Sequence, residues 1–249
     1  MVLDPVAFSL GPLDVYWYGI VYALGFLLFL FVLRSVHKTL NLSKDEVDNM
    51  VIITAVVGLI SARIVHMVFY DPIYYLTNLG EVIRVDRGGM SAHGGILGGV
   101  VALYFYSRKK KINFFKIIDI AVIPLALILT FGRIANFVNQ ELVGTITDSR
   151  FGVVFPDYDD ELRWPSQLIE SIKTMFVFQV LLFMYFFKKL KPGIISAWFL
   201  ILYNGLRFIV NFVREPEVSI GIISMGQLLS LFGFILGLVL LFYINKYKK

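Results

Sequence analysis

Of 249 residues, 58% are hydrophobic and only 16% are charged, too few polar groups to cover a water-soluble globule of that size. The net charge of +5 sits in short Lys/Arg clusters between apolar runs, a pattern that membrane topology explains better than nucleic-acid binding. The absence of cysteine excludes disulfides, a thiol nucleophile and Cys-ligated metals, and the histidines at 37, 66 and 93 show no metal-ligand spacing.

In chain order, the first ten residues carry Asp4 and no Lys or Arg. A cleaved leader is therefore not expected, and the first apolar run is predicted to stay as a span. Seven helices are predicted, at about 16–33, 51–69, 94–107, 117–138, 168–187, 194–212 and 222–244, from apolar runs near the length that crosses a hydrocarbon core as helix. Short hydrophilic connections separate them, apart from a longer segment at about 139–167. No soluble domain interrupts the series, so residues 1–249 are expected to form a single seven-helix transmembrane domain, an all-α integral membrane protein.

The connections carry a charge asymmetry. One alternate set holds Arg34, Lys38, Lys44, Arg108, Lys109, Lys110, Lys111, Lys116, Lys188, Lys189 and Lys191, and the C-terminal tail adds Lys246, Lys248 and Lys249. The other side holds only Arg84, Arg87, Arg150, Arg163 and Arg214. The positive-inside rule then places the N-terminus outside, the C-terminus in the cytoplasm and the segment at 139–167 outside.

Six ionisable residues remain inside predicted spans: Arg63, Asp119, Arg133, Glu170, Lys173 and Arg207. Each costs roughly 2.5–3.5 kcal/mol at mid-membrane on insertion scales, so each is a functional candidate or half of a pair between helices. With a rise of 1.5 Å per residue, Arg63, Arg133, Arg207, His93, Glu170 and Tyr18 are expected in one layer about 10 Å thick near the outer interface. A common layer favours one site over scattered structural pairs. Its sign is positive, and guanidinium forks match phosphate oxygens, so the predicted occupant is a lipid phosphate in the outer leaflet. His93 is the nearby group of a type suited to proton transfer near neutrality. Asp119, at the cytoplasmic start of the fourth span, reads as well as a favourable charge at its own helix N-terminus.

The most distinctive stretch is Gly132-Arg133-Ile134-Ala135-Asn136-Phe137-Val138-Asn139-Gln140-Glu141-Leu142-Val143-Gly144. Arg133, Asn136 and Gln140 are predicted on one helix face, at i, i+3 and i+7. Other blocks are Trp17-Tyr18-Gly19, Gly89-Met90-Ser91-Ala92-His93-Gly94-Gly95, Arg163-Trp164-Pro165-Ser166-Gln167-Leu168, Tyr203-Asn204-Gly205-Leu206-Arg207 and Ser224-Met225-Gly226-Gln227. In content and order these resemble the bacterial prolipoprotein diacylglyceryl transferases over almost the whole chain. The resemblance implies a multi-pass enzyme of the bacterial plasma (inner) membrane with its active site toward the outer face. It would transfer the sn-1,2-diacylglyceryl group of phosphatidylglycerol to the lipobox cysteine of a prolipoprotein signal peptide, forming a thioether and releasing glycerol phosphate.

The resemblance also implies that His93, Arg133 and Arg207 are essential, the arginines on the phosphate side. Tyr18, Asn136, Glu141, Gly144 and Tyr203 occupy matching positions and are expected to contribute to substrate binding. Arg63 joins them by its expected depth, as a phosphate contact or a structural pair. Three positions depart from the family: Trp164 replaces a usual His, Ile169 a common Tyr, and Asn211 an acid one turn after Arg207. Besides membrane lipids and these two substrates, no partner, nucleic acid, metal or redox cofactor is called for.

Several features read as structural. The Gly-x-x-x-Gly spacings of Gly94, Gly95, Gly98 and Gly99 suggest close helix packing, His66 an interhelical hydrogen bond, and Lys173 snorkelling or a pair with Glu170. A transporter would need broken helices or an inverted repeat, and a CDP-alcohol phosphotransferase an aspartate-rich metal motif that Asp119 alone does not supply.

Overall fold

The computed structural model describes residues 4, 6–11, 13–84, 88–216, 218–221 and 223–247. Arg87, Ile222, Lys248 and Lys249, which entered the charge and span expectations, lie outside the described residues. The chain is mostly helical: α1 (Trp17–Ser35), α2 (Lys44–Phe69), α3 (Pro72–Thr77), α4 (Ala92–Lys110), α5 (Phe114–Val138), α6 (Ser166–Phe187), α7 (Ile194–Val210) and α8 (Met225–Tyr247). Each predicted span falls on one of these helices. The boundaries differ where hydropathy and helix formation part company. α2 begins seven residues before the predicted start at 51, because Ser43 and Glu46 close a reciprocal capping box over a polar first turn.

Among the described residues, α1, α2, α5, α6 and α8 are long and apolar enough to cross a membrane. α7 is apolar but has 17 residues, at the short end of the spanning range. α4 dilutes its apolar residues with glycines and ends on Arg108, Lys109 and Lys110. Exposed residues along α2 (Ile52, Val56, Leu59, Ile60) and α8 (Leu228, Phe232, Val239, Phe242) are large and apolar, a surface suited to lipid rather than water. The chain is a multi-pass membrane protein.

Three small antiparallel hairpins add to the helices: β1 (Val6–Leu10) with β2 (Leu13–Tyr16), β3 (Val153–Val154) with β4 (Leu162–Arg163), and β5 (Ser219–Ile220) with β6 (Ile223–Ser224). The all-helical expectation did not include these strands, each only two to five residues long.

The chain forms two compact units, Met1–Phe29 with Ile118–Lys249, and Leu30–Ile117. In the first, Val122, Ile123 and Ala126 of α5, Val177 and Leu181 of α6, and Ile195 and Phe199 of α7 make a buried core. Asp119 belongs to this core region and serves a helix other than its own. It accepts hydrogen bonds from the backbone N–H of Gly193 (2.6 Å) and Ser196 (2.8 Å) and from the Ser196 hydroxyl. α7 has no cap from its own sequence, and Asp119 supplies one from α5.

In the second unit α4 packs on α2 through glycine. A Cβ built at Gly98 would lie 2.5 Å from Ser61 Cβ and 2.9 Å from Val57 O, and one at Gly94 would lie 2.7 Å from Ser61 O. The predicted close packing is present, with α2 as the partner. Among the described residues His66 makes no hydrogen bond to another helix, contrary to expectation. It stacks on Tyr70 with ring centroids 5.2 Å apart, and its Nε2 lies 3.6 Å from Asp71 Oδ2.

Candidate active site

The first unit contains a connected polar network at one end of α5. Its centre is Asn136, 3% exposed. The side-chain Nδ2 donates to the Tyr18 hydroxyl of α1 and to Glu141 Oε2 at 3.0 Å, so both amide hydrogens are used. Glu141 reaches back because α5 ends at Val138 and the chain reverses through Gln140 (φ 54°) and Leu142 (φ 57°). The Glu141 N–H then donates to Asn136 O at 2.9 Å. This reversal also corrects the predicted i, i+3, i+7 face. Gln140 leaves the helix and pairs with Asp157, donating to Oδ2 at 2.6 Å and accepting from its N–H at 3.0 Å.

Arg133 lies one turn before Asn136. Its guanidinium is mostly buried, and among the described residues it makes one hydrogen bond, Nη1 to Asn136 Oδ1 at 3.4 Å. Its Nε is 3.7 Å from Glu170 Oε2 of α6, outside hydrogen-bond range. A guanidinium has five N–H donors, so most of those on Arg133 have no hydrogen-bond acceptor among the described residues.

The network continues from α6 to α7. Glu170 Oε2 accepts from Lys173 Nζ at 2.7 Å, the Lys173 ammonium lies 4.2 Å from the centre of the Tyr203 ring, and the Tyr203 hydroxyl accepts from Arg207 Nη1 at 3.1 Å. Tyr18, Arg133, Asn136, Glu141, Tyr203 and Arg207, all expected from the sequence, are thereby joined. Glu170 and Lys173 complete the link. The sequence flagged both as costly charges inside a span and read Lys173 as snorkelling or paired with Glu170; the i, i+3 pair is present, and its links to Arg133 and Tyr203 were not foreseen.

The segment between α5 and α6 is a clasp. Arg163 donates to both carboxylate oxygens of Asp159 (2.6 to 3.0 Å), to Glu215 Oε2 (3.0 Å) and to Gly144 O (3.0 Å). The guanidinium holds the Asp159 carboxyl below its usual range, and Asp159 in turn raises the Arg163 pKa. Gly144 sits inside the clasp. A Cβ there would lie 2.6 Å from Trp164 Cβ and 2.7 Å from Val213 O, so the position admits no side chain. Ser166 and Gln167 secure the exit of α5 by donating to Leu142 O (2.8 Å) and Glu141 O (2.7 Å).

The other two expected residues lie in the second unit. His93 is exposed in the first turn of α4, behind an N-cap in which Ser91 accepts from Gly94 N–H at 3.3 Å. Arg63, 7% exposed, donates to five backbone carbonyls: Val82 (3.0 Å), Gly88 (2.7 Å), Gly89 (2.9 Å), Glu81 (2.6 Å) and Arg84 (3.0 Å). It also lies 4.9 Å from the Tyr75 ring centre. All five donors are engaged, so Arg63 holds the chain after α3 and has no N–H left for a phosphate.

The family model of prolipoprotein diacylglyceryl transferase matches residues 5–243. The chain belongs to this family. A phosphatidylglycerol–prolipoprotein diacylglyceryl transferase of Ehrlichia canis is 36% identical, covering 100% of this chain and 97% of that protein. Proteins of the same description from Geobacter sulfurreducens (36% identity, 99% and 97% covered) and Rickettsia bellii (36%, 96% and 94%) are similar along their whole length. The family makes the chain a membrane transferase of lipoprotein biosynthesis, and the match runs through every block that carries the network described above.

Proposed function

We propose that this chain transfers the sn-1,2-diacylglyceryl group from phosphatidylglycerol to the lipobox cysteine of a prolipoprotein signal peptide, the first step of lipoprotein maturation. The family and the names of its relatives support the reaction. The observation that supports its location is Arg133, a mostly buried guanidinium whose donors the protein leaves largely unused. Burying such a group with most of its donors unpaired is costly, and an anionic ligand supplies what is missing. A phosphate diester fits the fork.

In this reading seven helices cross the plasma (inner) membrane of a bacterium, α4 and α7 among them, with the N-terminus outside. Residues 1–249 then act as one catalytic domain whose site opens toward the outer face. Arg133 and Arg207 bind the phosphate and stabilise the negative charge that grows on the leaving glycerol phosphate. Tyr18, Asn136 and Glu141 hold Arg133 in place. Tyr203 orients Arg207, and Gly144 keeps the clasp closed beside them.

The nucleophile is the cysteine of the peptide, and His93 accepts its proton. The thiolate sulfur attacks the glyceryl carbon that bears the phosphate ester. A C–S bond forms, the C–O bond breaks, and glycerol phosphate leaves with the electron pair. Support for His93 is its place in the Gly89–Gly95 block and its exposure.

Purified protein supplied with phosphatidylglycerol and a lipobox peptide should add the diacylglyceryl mass to the peptide and release glycerol phosphate. The same peptide with Ser in place of Cys should gain nothing. Absence of transfer by folded protein, or transfer of a phosphoryl group instead, would reject the reading.

A further inference from the structure

The phosphate reading leaves Lys173 without a task, although it is one of the most deeply placed charges in the first unit. It is 6% exposed, and its partner Glu170 is 2% exposed. Among the described residues, Oε2 of the carboxylate is engaged by Lys173 Nζ at 2.7 Å, while Oε1 is buried with no hydrogen-bond partner. The same Oε2 lies 3.7 Å from Arg133 Nε. Lys173, Arg133 and Arg207 all act on this carboxylate, and the lysine lies nearer to it than Arg133 does.

A carboxylate this close to a guanidinium ordinarily closes into a paired fork at about 2.7–2.9 Å. Such a pair would neutralise Arg133 and occupy the donors that a lipid phosphate needs. We infer that Lys173 is a positioning residue: it draws the Glu170 carboxylate onto itself and so keeps Arg133 open for the anionic substrate. This rests on the phosphate-binding reading of Arg133. The geometry supports the division of labour. Lys173 lies three residues after Glu170 on the same helix, and its ammonium also lies 4.2 Å from the centre of the Tyr203 ring.

The test is the affinity of the full-length protein for short-chain phosphatidylglycerol in detergent, measured without peptide. Lys173→Met frees Glu170 to close on Arg133, and binding should weaken about tenfold, the scale of one buried charge contact. Lys173→Arg keeps the positive charge and should stay within about threefold of wild type. Glu170→Gln combined with Lys173→Met removes the competing carboxylate and should also return to within about threefold, a rescue that a packing role does not give. If Lys173→Met binds as wild type, or the double variant, folded by its thermal transition, binds no better than Lys173→Met, the inference is overturned. Should the double variant not fold, equal weakening by Lys173→Arg and Lys173→Met overturns it instead. Failure of Arg133→Ala to weaken binding would reject the phosphate reading itself, a separate outcome from failure of the Lys173 variants alone.

Discussion

Arg63 and Arg133 look alike in the sequence, each an arginine inside an apolar span, yet their surroundings are opposite. Arg63 spends every donor on the backbone carbonyls of Glu81, Val82, Arg84, Gly88 and Gly89. Among the described residues Arg133 has one hydrogen bond of 3.4 Å and an acid at 3.7 Å. A buried arginine can thus be a structural post or a binding group, and the saturation of its donors separates the two where depth in the membrane does not. The comparison predicts that loss of Arg63 damages the fold, while loss of Arg133 damages turnover.

The largest effect is expected at Arg63. Arg63→Ala leaves five carbonyls without their shared donor and should destabilise the protein by on the order of 3 kcal/mol or more, seen as a lowered thermal transition in detergent. Arg63→Lys should recover little, since three donors on one atom cannot span those carbonyls. If Arg63→Ala keeps the wild-type transition but loses turnover, the comparison breaks. At Arg133 the conservative change probes the fork. Arg133→Lys keeps the charge and should lower kcat/KM on the order of a hundredfold with the thermal transition nearly unchanged.

Two smaller effects sharpen the view of the clasp beside Arg133. Gly144→Ala must push aside Trp164 or Val213 and should cost about 1–3 kcal/mol, read as a lower transition and a shared loss of activity. The Asp159–Arg163 pair sets an acid limit. The carboxyl is held below its ordinary 3.8, so the stabilisation is fully present above that value and is lost as pH falls through the lower folded value. Proteolysis of the segment between α5 and α6 should therefore rise only below about pH 3.8 in wild type, whereas Asp159→Asn should be sensitive already at neutral pH. Equal sensitivity of both proteins at pH 7 would remove the pair from the account.

Much of this was legible in the sequence. Apolar runs located the helices, because crossing hydrocarbon leaves the backbone few alternatives. The stretch from Gly132 to Gly144 marked one end of α5 as a candidate site, since Arg133, Asn136 and Glu141 are polar where lipid contact requires none. What escaped depends on partners brought together by the fold. Asp119 reads as a charge at the start of its own helix, and only the packing of α5 and α7 turns it into the cap for Gly193 and Ser196. Gln140 follows the helical period on paper, but the positive φ at 140 and 142 takes it off that face. Arg63 differs from Arg133 only through five carbonyls that lie 18 to 26 residues further along the chain, and no local pattern encodes that.

The central claim is that the unused donors of Arg133 serve the lipid phosphate during transfer. Its most direct test is the rate at which a lipobox peptide gains the diacylglyceryl mass from phosphatidylglycerol, compared between wild-type and Arg133→Ala protein with matched thermal transitions. The account predicts steady transfer by the first and a rate lower by at least about a thousandfold for the second. Transfer by folded Arg133→Ala within about tenfold of wild type would contradict it.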